Sequence, residues 1–271
     1  MDDRMTILVV SCDKYKDISD MYFHYLRINW PDCNFPIVLA TEEADCADKD
    51  VKVIKCGEGV SWTKEVLMAL DEIESEIVLM TVDDLFISHK VDNKAIKTAL
   101  DFMYKHNLKY YRIPKGKRKA KKEDLYPGEK YISKIRRDIV YSITIGSSMW
   151  RKDELIHVLG DGTKSAWELE DHFSEAATKG DKGYYDGYVT DVRPLLQCAH
   201  MVTAGKWIPK GVKDMKKNGF YIDTSKRGML TPREARKMTI YGIATKIMPK
   251  QLRKPLKTIL TKVGMKFATK Y

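Results

Sequence analysis

The chain has 271 residues, enough for one large α/β domain with a buried core. Hydrophobic residues make up 44% and charged residues 32%, a balance that excludes a disordered chain and fits a globular one. The net charge of +10 sits in one place: of 48 basic and 38 acidic residues, positions 231–271 hold 11 and one (Glu234), leaving 37 of each in 1–230. A neutral body with a basic tail suggests an anionic surface binder attached to a globular domain.

The first ten residues, MDDRMTILVV, place acids before a short apolar run and lack the basic start and long apolar stretch of a secretory signal. No stretch has the length of uninterrupted apolar sequence that a spanning helix needs. The expectation is a chain made and kept in the cytosol. Cys12, Cys33, Cys46, Cys56 and Cys198 form no CxxC pair and read as reduced thiols.

TILVVSC (6–12) is a continuous apolar, β-branched run, the pattern of a buried parallel strand. A helix over about 18–30 follows and ends before Pro31. FPIVLAT (35–41) and VKVIKC (51–56) predict two more strands. Ser61 opens a helix to about Ser75, with Val66, Leu67, Leu70 and Ile73 on one face. EIVLMTV (76–82) is the strongest buried strand and runs straight into Asp83 and Asp84. A helix over 92–106 and a strand over 108–113 complete an alternation that predicts a mostly parallel sheet flanked by helices.

KGKRKAKK (115–122) reads as a solvated basic loop, or as a flap that meets phosphates. YSITIGSSMW (141–150) predicts a strand broken at Gly146, followed by helices at 152–159 and 165–179. DKGYYDGY (181–188) reads as a turn, 189–197 as extended, and 199–221 contains several loop signals. Thr231-Pro232 starts a helix over 233–248. Leu256, Ile259, Leu260, Val263 and Phe267 then recur at helical spacing beside Lys257, Lys262, Lys266 and Lys270, the pattern of an interfacial membrane helix. The expected domains are therefore 1–230 and a basic amphipathic tail, 231–271.

Four groups of residues carry possible chemistry. Two adjacent carboxylates at a strand end repel one another unless a cation sits with them, so Asp83 and Asp84 suit a hard divalent metal, with diphosphate oxygens completing its shell. A helix cap or turn would use the same residues. Ser11, Asp13 and Tyr15 follow the first strand and can hold a nucleobase by hydrogen bonds and stacking. No GxGxxG or P-loop occurs, so phosphates would be held by metal and side chains. In SAWELEDHF (165–173), Ser165 and Glu168 fit a capping box, while a carboxylate here could also serve as general base beside Trp167. In CAHMVTAGKWIPK (198–210), His200 could add a metal ligand and Lys206 could neutralise a diphosphate; both residue types are as often structural.

In this order, ILVVSCDKY, SWTKEVLMALDEIESEIVLMTVDDLFI, SSMWRKDELIHVL, SAWELE and AGKW over residues 5–210 make the chain resemble bacterial GT-A glycosyltransferases of capsule and O-antigen synthesis. The resemblance implies a Rossmann-like GT-A fold with a basic helical C-terminal extension. It implies a donor site at Ser11, Asp13, Tyr15, Trp62, Asp83 and Lys206, and Mn²⁺ or Mg²⁺ on Asp84, Asp83 and His200. It implies acceptor contacts at Trp167 and Trp150, with Glu168, Asp171 or Glu170 as base, Glu168 preferred. The adjacent acids depart from the family's Asp-X-Asp spacing and leave open which one meets metal. The implied reaction is transfer of a hexose from a nucleotide sugar, UDP-linked as the commonest donor, to a saccharide or lipid-linked acceptor, with inversion, at the inner membrane face.

Two other classes compete. A nucleic-acid-binding protein would use the basic segments, but the body is neutral and no nucleic-acid-binding motif occurs, so no nucleic acid is expected. A non-catalytic membrane-associated scaffold would have no need of the acid pair. A nucleotidyltransferase would need a Gly-rich basic loop near the start, which is absent.

Overall fold

The computed structural model describes residues 1–114 and 119–237. The chain packs as two compact units, Met1–Ala199 and His200–Tyr271. The tail was set apart at 231 by charge; the expected helix over 256–270, most of that over 233–248 and part of the 115–122 loop lie outside the described residues.

The first unit is built on an eight-stranded sheet. Its first half is β1 (Met5–Val10), β2 (Ile37–Thr41), β3 (Lys52–Lys55) and β4 (Ile77–Val82), joined by α1 (Lys16–Asn29) and α2 (Trp62–Asp71). These strands lie in the order β3-β2-β1-β4, all parallel. β1 and β2 are buried at every position, as expected where helices cover both faces and the sequence is continuously apolar. Ser61 caps α2 by accepting from Lys64 N–H at 3.2 Å, so the helix starts where the sequence places it.

Short β5 (Leu85–Ile87) and α3 (Asn93–Lys105) follow, then β6 (Tyr110–Arg112), β7 (Ile132–Arg136), β8 (Ser148–Arg151), α4 (Lys152–Leu159), α5 (Ala166–Phe173), α6 (Glu175–Thr178) and β9 (Tyr184–Asp191). The second half of the sheet continues β4-β8-β6-β9-β7. β8 runs antiparallel to both neighbours, β9 parallel to β6, and β7 antiparallel at the edge. β5 forms a two-stranded sheet with β10 (Cys198–His200). The fold class is the expected one, an α/β sheet flanked by helices, parallel in its first half and mixed in its second.

Several elements differ from the sequence reading. The strand expected over 141–150 is confined to Ser148–Arg151. Of the Gly- and Tyr-rich turn expected at 181–188, residues 184–188 are instead the first part of β9, which ladders onto β6 and β7. The single helix expected over 165–179 breaks at Ser174, whose Oγ donates to Glu170 O at 3.1 Å and accepts Tyr141 N–H at 3.1 Å.

In the second unit, β11 (Val202–Thr203) and β12 (Lys206–Trp207) form a hairpin, and α7 (Pro209–Lys217) occupies part of the segment expected to be loop. A Cβ at Gly211 would stand 2.2 Å from the carbonyl oxygen of His200, so only glycine lets α7 approach that backbone.

Candidate functional site

The strand order puts a reversal between β1 and β4: the chain moves outward from β1 to β2 and β3, then returns to the other side of β1. In such sheets the crevice beyond the carboxyl ends of the two central strands is where ligands bind. Ser11 and Asp13 follow β1, and Asp83 and Asp84 follow β4, so topology brings these expected residues to one edge. The contact is direct, since Ser11 Oγ donates to Asp83 Oδ2 at 2.6 Å. Asp83 is buried and Asp84 half-buried.

Asp13 ties two loops together. Its carboxylate accepts Thr41 Oγ1–H at 3.0 Å, Glu43 N–H at 3.0 Å and Ala44 N–H at 2.9 Å, while its own N–H donates to Glu42 Oε2 at 3.0 Å. The Glu43 N–H bond leads the set that holds this carboxyl below its usual range. Tyr15 ends the short helical turn after β1. Trp62, at the start of α2, packs against the core. Burial pushes the Cys12 thiol up to about 11, with Asp83, Glu42 and Glu65 adding to it. Cys12 is therefore held as the thiol at neutral pH.

Two of the carboxylates of α5 face a different structure, the loop 141–147. Thr63 of α2 sets that helix in place: its Oγ1 donates to Lys164 O and accepts Lys164 N–H, both at 2.8 Å, and its own N–H donates to Lys164 O at 3.1 Å. Ser61 Oγ donates to Gly162 O beside it. Glu168 is exposed and completes the capping box, accepting Ser165 N–H at 2.8 Å and Ser165 Oγ–H at 2.7 Å. The Ser165 N–H bond in particular holds its carboxyl below the usual range.

Glu170 and Asp171 turn towards the loop. Glu170 Oε1 accepts Ile145 N–H at 3.0 Å, and Asp171 Oδ1 accepts Tyr141 OH at 3.4 Å. Tyr141 is held at φ +54° with its carbonyl, like that of Ser142, accepting from Arg112. Along the same loop, Ser147 Oγ reaches Thr81 Oγ1 of β4 at 3.4 Å, and a Cβ at Gly146 would touch Leu85. The acidic face of α5 is thus connected through 141–147 to the end of the strand that delivers Asp83.

One expectation is corrected by burial. Trp150 is 1% exposed, between β4 and β6 in the middle of the sheet, so it offers no ring face to an acceptor. Trp167, by contrast, is 57% exposed at the first turn of α5. His200 and Lys206 belong to the second unit. His200 is exposed there, and the Lys206 ammonium is engaged by Glu234 Oε1 at 2.6 Å. That bond, with those from Thr231, lowers the Glu234 carboxyl to about 2.

Among the described residues, no three His, Cys, Asp or Glu side chains are grouped to hold a metal ion. Asp83 and Asp84 supply hard oxygen donors from one strand end. That set fits a Mg²⁺ or Mn²⁺ ion that takes one or two carboxylates together with substrate phosphates and water, not an all-protein cage.

Glu65 is the residue that the sequence reading missed. It lies in the first turn of α2, is 7% exposed, and its Oε1 has no hydrogen-bond partner among the described residues. Burial, then the charges of Glu42 and Asp13, raise its carboxyl from 4.5 to about 8. A signal was available: 65, 66, 69, 70 and 73 share one helical stripe, and its other members are all buried and apolar. An acid inside that stripe is out of place unless it serves something.

No protein-family model matches the chain, and no curated protein matches it. Solved structures that it resembles include TarS from S. aureus, at 16% identity and a TM-score of 0.44, covering 69% of this chain and 35% of that one. TarS 1–349 in complex with UDP-GlcNAc is similar at 14% identity and a TM-score of 0.41, covering 70% and 56%. TarS 1–349 in complex with UDP is similar at 16% identity and a TM-score of 0.43, covering 70% and 58%. The chain therefore spans between about a third and three-fifths of the length of these structures.

Among the described residues, no helix is long and apolar enough to cross a membrane.

Proposed function

We propose that the chain is a metal-dependent glycosyltransferase that moves a hexose from a UDP-linked sugar to a hydroxyl of a saccharide or lipid-linked saccharide, with inversion, in surface-polysaccharide synthesis. The observation that carries this reading is the Ser11–Asp83 contact, which sets a carboxylate pair at the reversal of strand order. A Mg²⁺ or Mn²⁺ ion held by Asp83 and Asp84 would, when bound, offset the charge of the departing diphosphate. The chain's own residues do the rest. Ser11 fixes the rotamer of Asp83, and Asp13 frames the loops after β1 and β2. The exposed ring of Trp167 takes the apolar face of the acceptor sugar. Asp171 removes the proton from the attacking hydroxyl, since Glu168 is committed to the capping box.

A thermal-shift series with UDP, GDP, CDP and CMP, with and without Mn²⁺, tests the donor site. At about 100 times Kd a ligand stabilises by ~2.7 kcal/mol. For a chain of this size that is a rise of roughly 5–10 °C. The rise is expected with UDP, dependent on Mn²⁺ and lost in Asp84→Ala. Absence of a shift with every nucleotide would remove this reading.

The basic segment 232–271 is assigned to an anionic membrane surface, which would keep the enzyme beside a lipid-linked acceptor. Deleting 232–271 should release the protein from vesicles containing phosphatidylglycerol and leave donor hydrolysis in place. Unchanged vesicle binding would rule the assignment out.

A further inference from the structure

Three carboxyl groups stand together at the carboxyl edge of β1 and β2, and they have unequal roles. Asp13 is saturated by Thr41, Glu43 and Ala44. Glu42 receives the Asp13 N–H. Glu65 approaches the same place from α2, because that helix follows β3 and so begins on the edge where the parallel strands end. Its carboxyl is within electrostatic range of Glu42 and Asp13, and the Cys12 thiol is within range of it. It is more than nine-tenths buried, and its Oε1 has no partner among the described residues. A buried polar atom left unpaired is costly and calls for a group to satisfy it.

The charge of this corner decides which part of a ligand it can take. Asp13 and Glu42 repel phosphates, so the diphosphate belongs at Asp83 and Asp84 with its cation, and the uncharged base belongs here. We propose that Glu65 is the base-reading residue of the nucleotide site, its carboxyl receiving the pairing edge of uracil with Oε1 accepting the imide N3–H. This rests on the nucleotide-sugar reading and adds the residue that selects the base.

The proton state suits the task. With its carboxyl raised to about 8, Glu65 carries a proton at neutral pH. A neutral carboxyl presents one acceptor beside one donor, and the N3–H and adjacent carbonyl of uracil present the complement. Ionisation removes the donor and adds a third negative charge beside Glu42 and Asp13. Of the other titratable groups at this corner, Cys12 and Cys56 are both raised to about 11 and stay neutral across the range concerned, and Lys55, within electrostatic range of Asp13, is raised by its bond to Asp45 and stays charged.

Isothermal titration of UDP and 3-methyl-UDP into the full chain with Mn²⁺ tests the assignment, with three variants. Wild type should bind UDP at least about tenfold tighter than 3-methyl-UDP, which lacks the N3–H. In Glu65→Leu this difference should shrink to about twofold or less. Glu65→Gln also offers an acceptor beside a donor, and should keep UDP affinity within about threefold. Wild-type affinity should fall up to about tenfold per pH unit above about pH 8, and the fall should vanish in Glu65→Gln. An unaltered preference for UDP in Glu65→Leu, or an unaltered pH profile in Glu65→Gln, overturns the assignment. If Glu65→Leu does not fold, the Glu65→Gln profile decides. Should Asp84→Ala abolish UDP binding while the Glu65 variants change nothing, the nucleotide reading stands and only this inference falls. If wild type binds no nucleotide, both fall.

Discussion

Replacing Trp150 by alanine is expected to destabilise the protein by about 3–5 kcal/mol, the cost of deleting a large ring from a closed core. The ring is 1% exposed and sits opposite Val78 of β4 and Tyr110 of β6. It packs at 4.3 Å from the Tyr110 ring, with Phe173 and Tyr188 at 6.1 and 6.0 Å, which leaves little freedom for collapse around a cavity. Its Nε1 donates to Ser148 Oγ at 3.0 Å, and that bond is lost as well. Domains are stable by roughly 5–15 kcal/mol, so the variant would keep only part of its margin. The midpoint of thermal unfolding should fall by about 10 °C. Trp150→Phe keeps most of the contact area and should lose about half as much. A change under about 1 kcal/mol in Trp150→Ala, read by urea denaturation, would mean that the ring is a surface platform and not core.

Trp150 also shows where sequence reading succeeds and fails. Strands β1, β2 and β4 are legible because a strand covered on both faces is a continuous apolar run, as TILVV, IVLAT and IVLMTV are. Their carboxyl ends, and hence Ser11, Asp13, Asp83 and Asp84, followed from topology alone. β7, β8 and β9 are short or only partly buried strands in the mixed half of the sheet, so no continuous apolar run marks them. β8 enters between β4 and β6, and ISKIR of β7 has too little alternation to mark an edge strand. YYDGY (184–188) reads as a turn for its glycine, while Val189–Asp191 falls in the stretch expected to be extended. Gly187 does adopt φ +73°, but inside a strand, where its carbonyl accepts Lys109 N–H at 2.8 Å and a Cβ would stand 3.1 Å from the Lys109 side chain. The tryptophans at 150 and 167 look alike in sequence, and only packing separates core from exposed platform. Glu65 is hidden differently: its neighbours Val66, Ala69 and Leu70 are plainly core, and an acid among them carries no motif that marks it.

Asp171→Asn is expected to lower turnover by about 10²–10⁴-fold, the range for removing a general base, while leaving UDP affinity within about twofold. The contrast with Glu168 makes this informative. Both sit on α5, and Glu168, in its first turn, is the natural choice from sequence. In the folded chain the Glu168 carboxylate accepts both the N–H and the hydroxyl of Ser165, and those bonds depress its basicity. A group already serving as a cap and held in its ionised form is a poor proton acceptor. Asp171 faces Tyr141, at the start of the loop that runs to Thr81 and Leu85 near the acid pair. Glutamine also completes a capping box, so Glu168→Gln should fold normally and keep turnover within about threefold. Glu168→Ala loses the Glu168 half of the capping box but keeps the Ser165 cap, and should cost about 1 kcal/mol of stability or less. Single-turnover rates on donor and acceptor, with folding confirmed by circular dichroism, separate the cases. Activity abolished in a folded Glu168→Gln and retained in Asp171→Asn would transfer the role of base to Glu168, and the capping box would then have to open before each turnover.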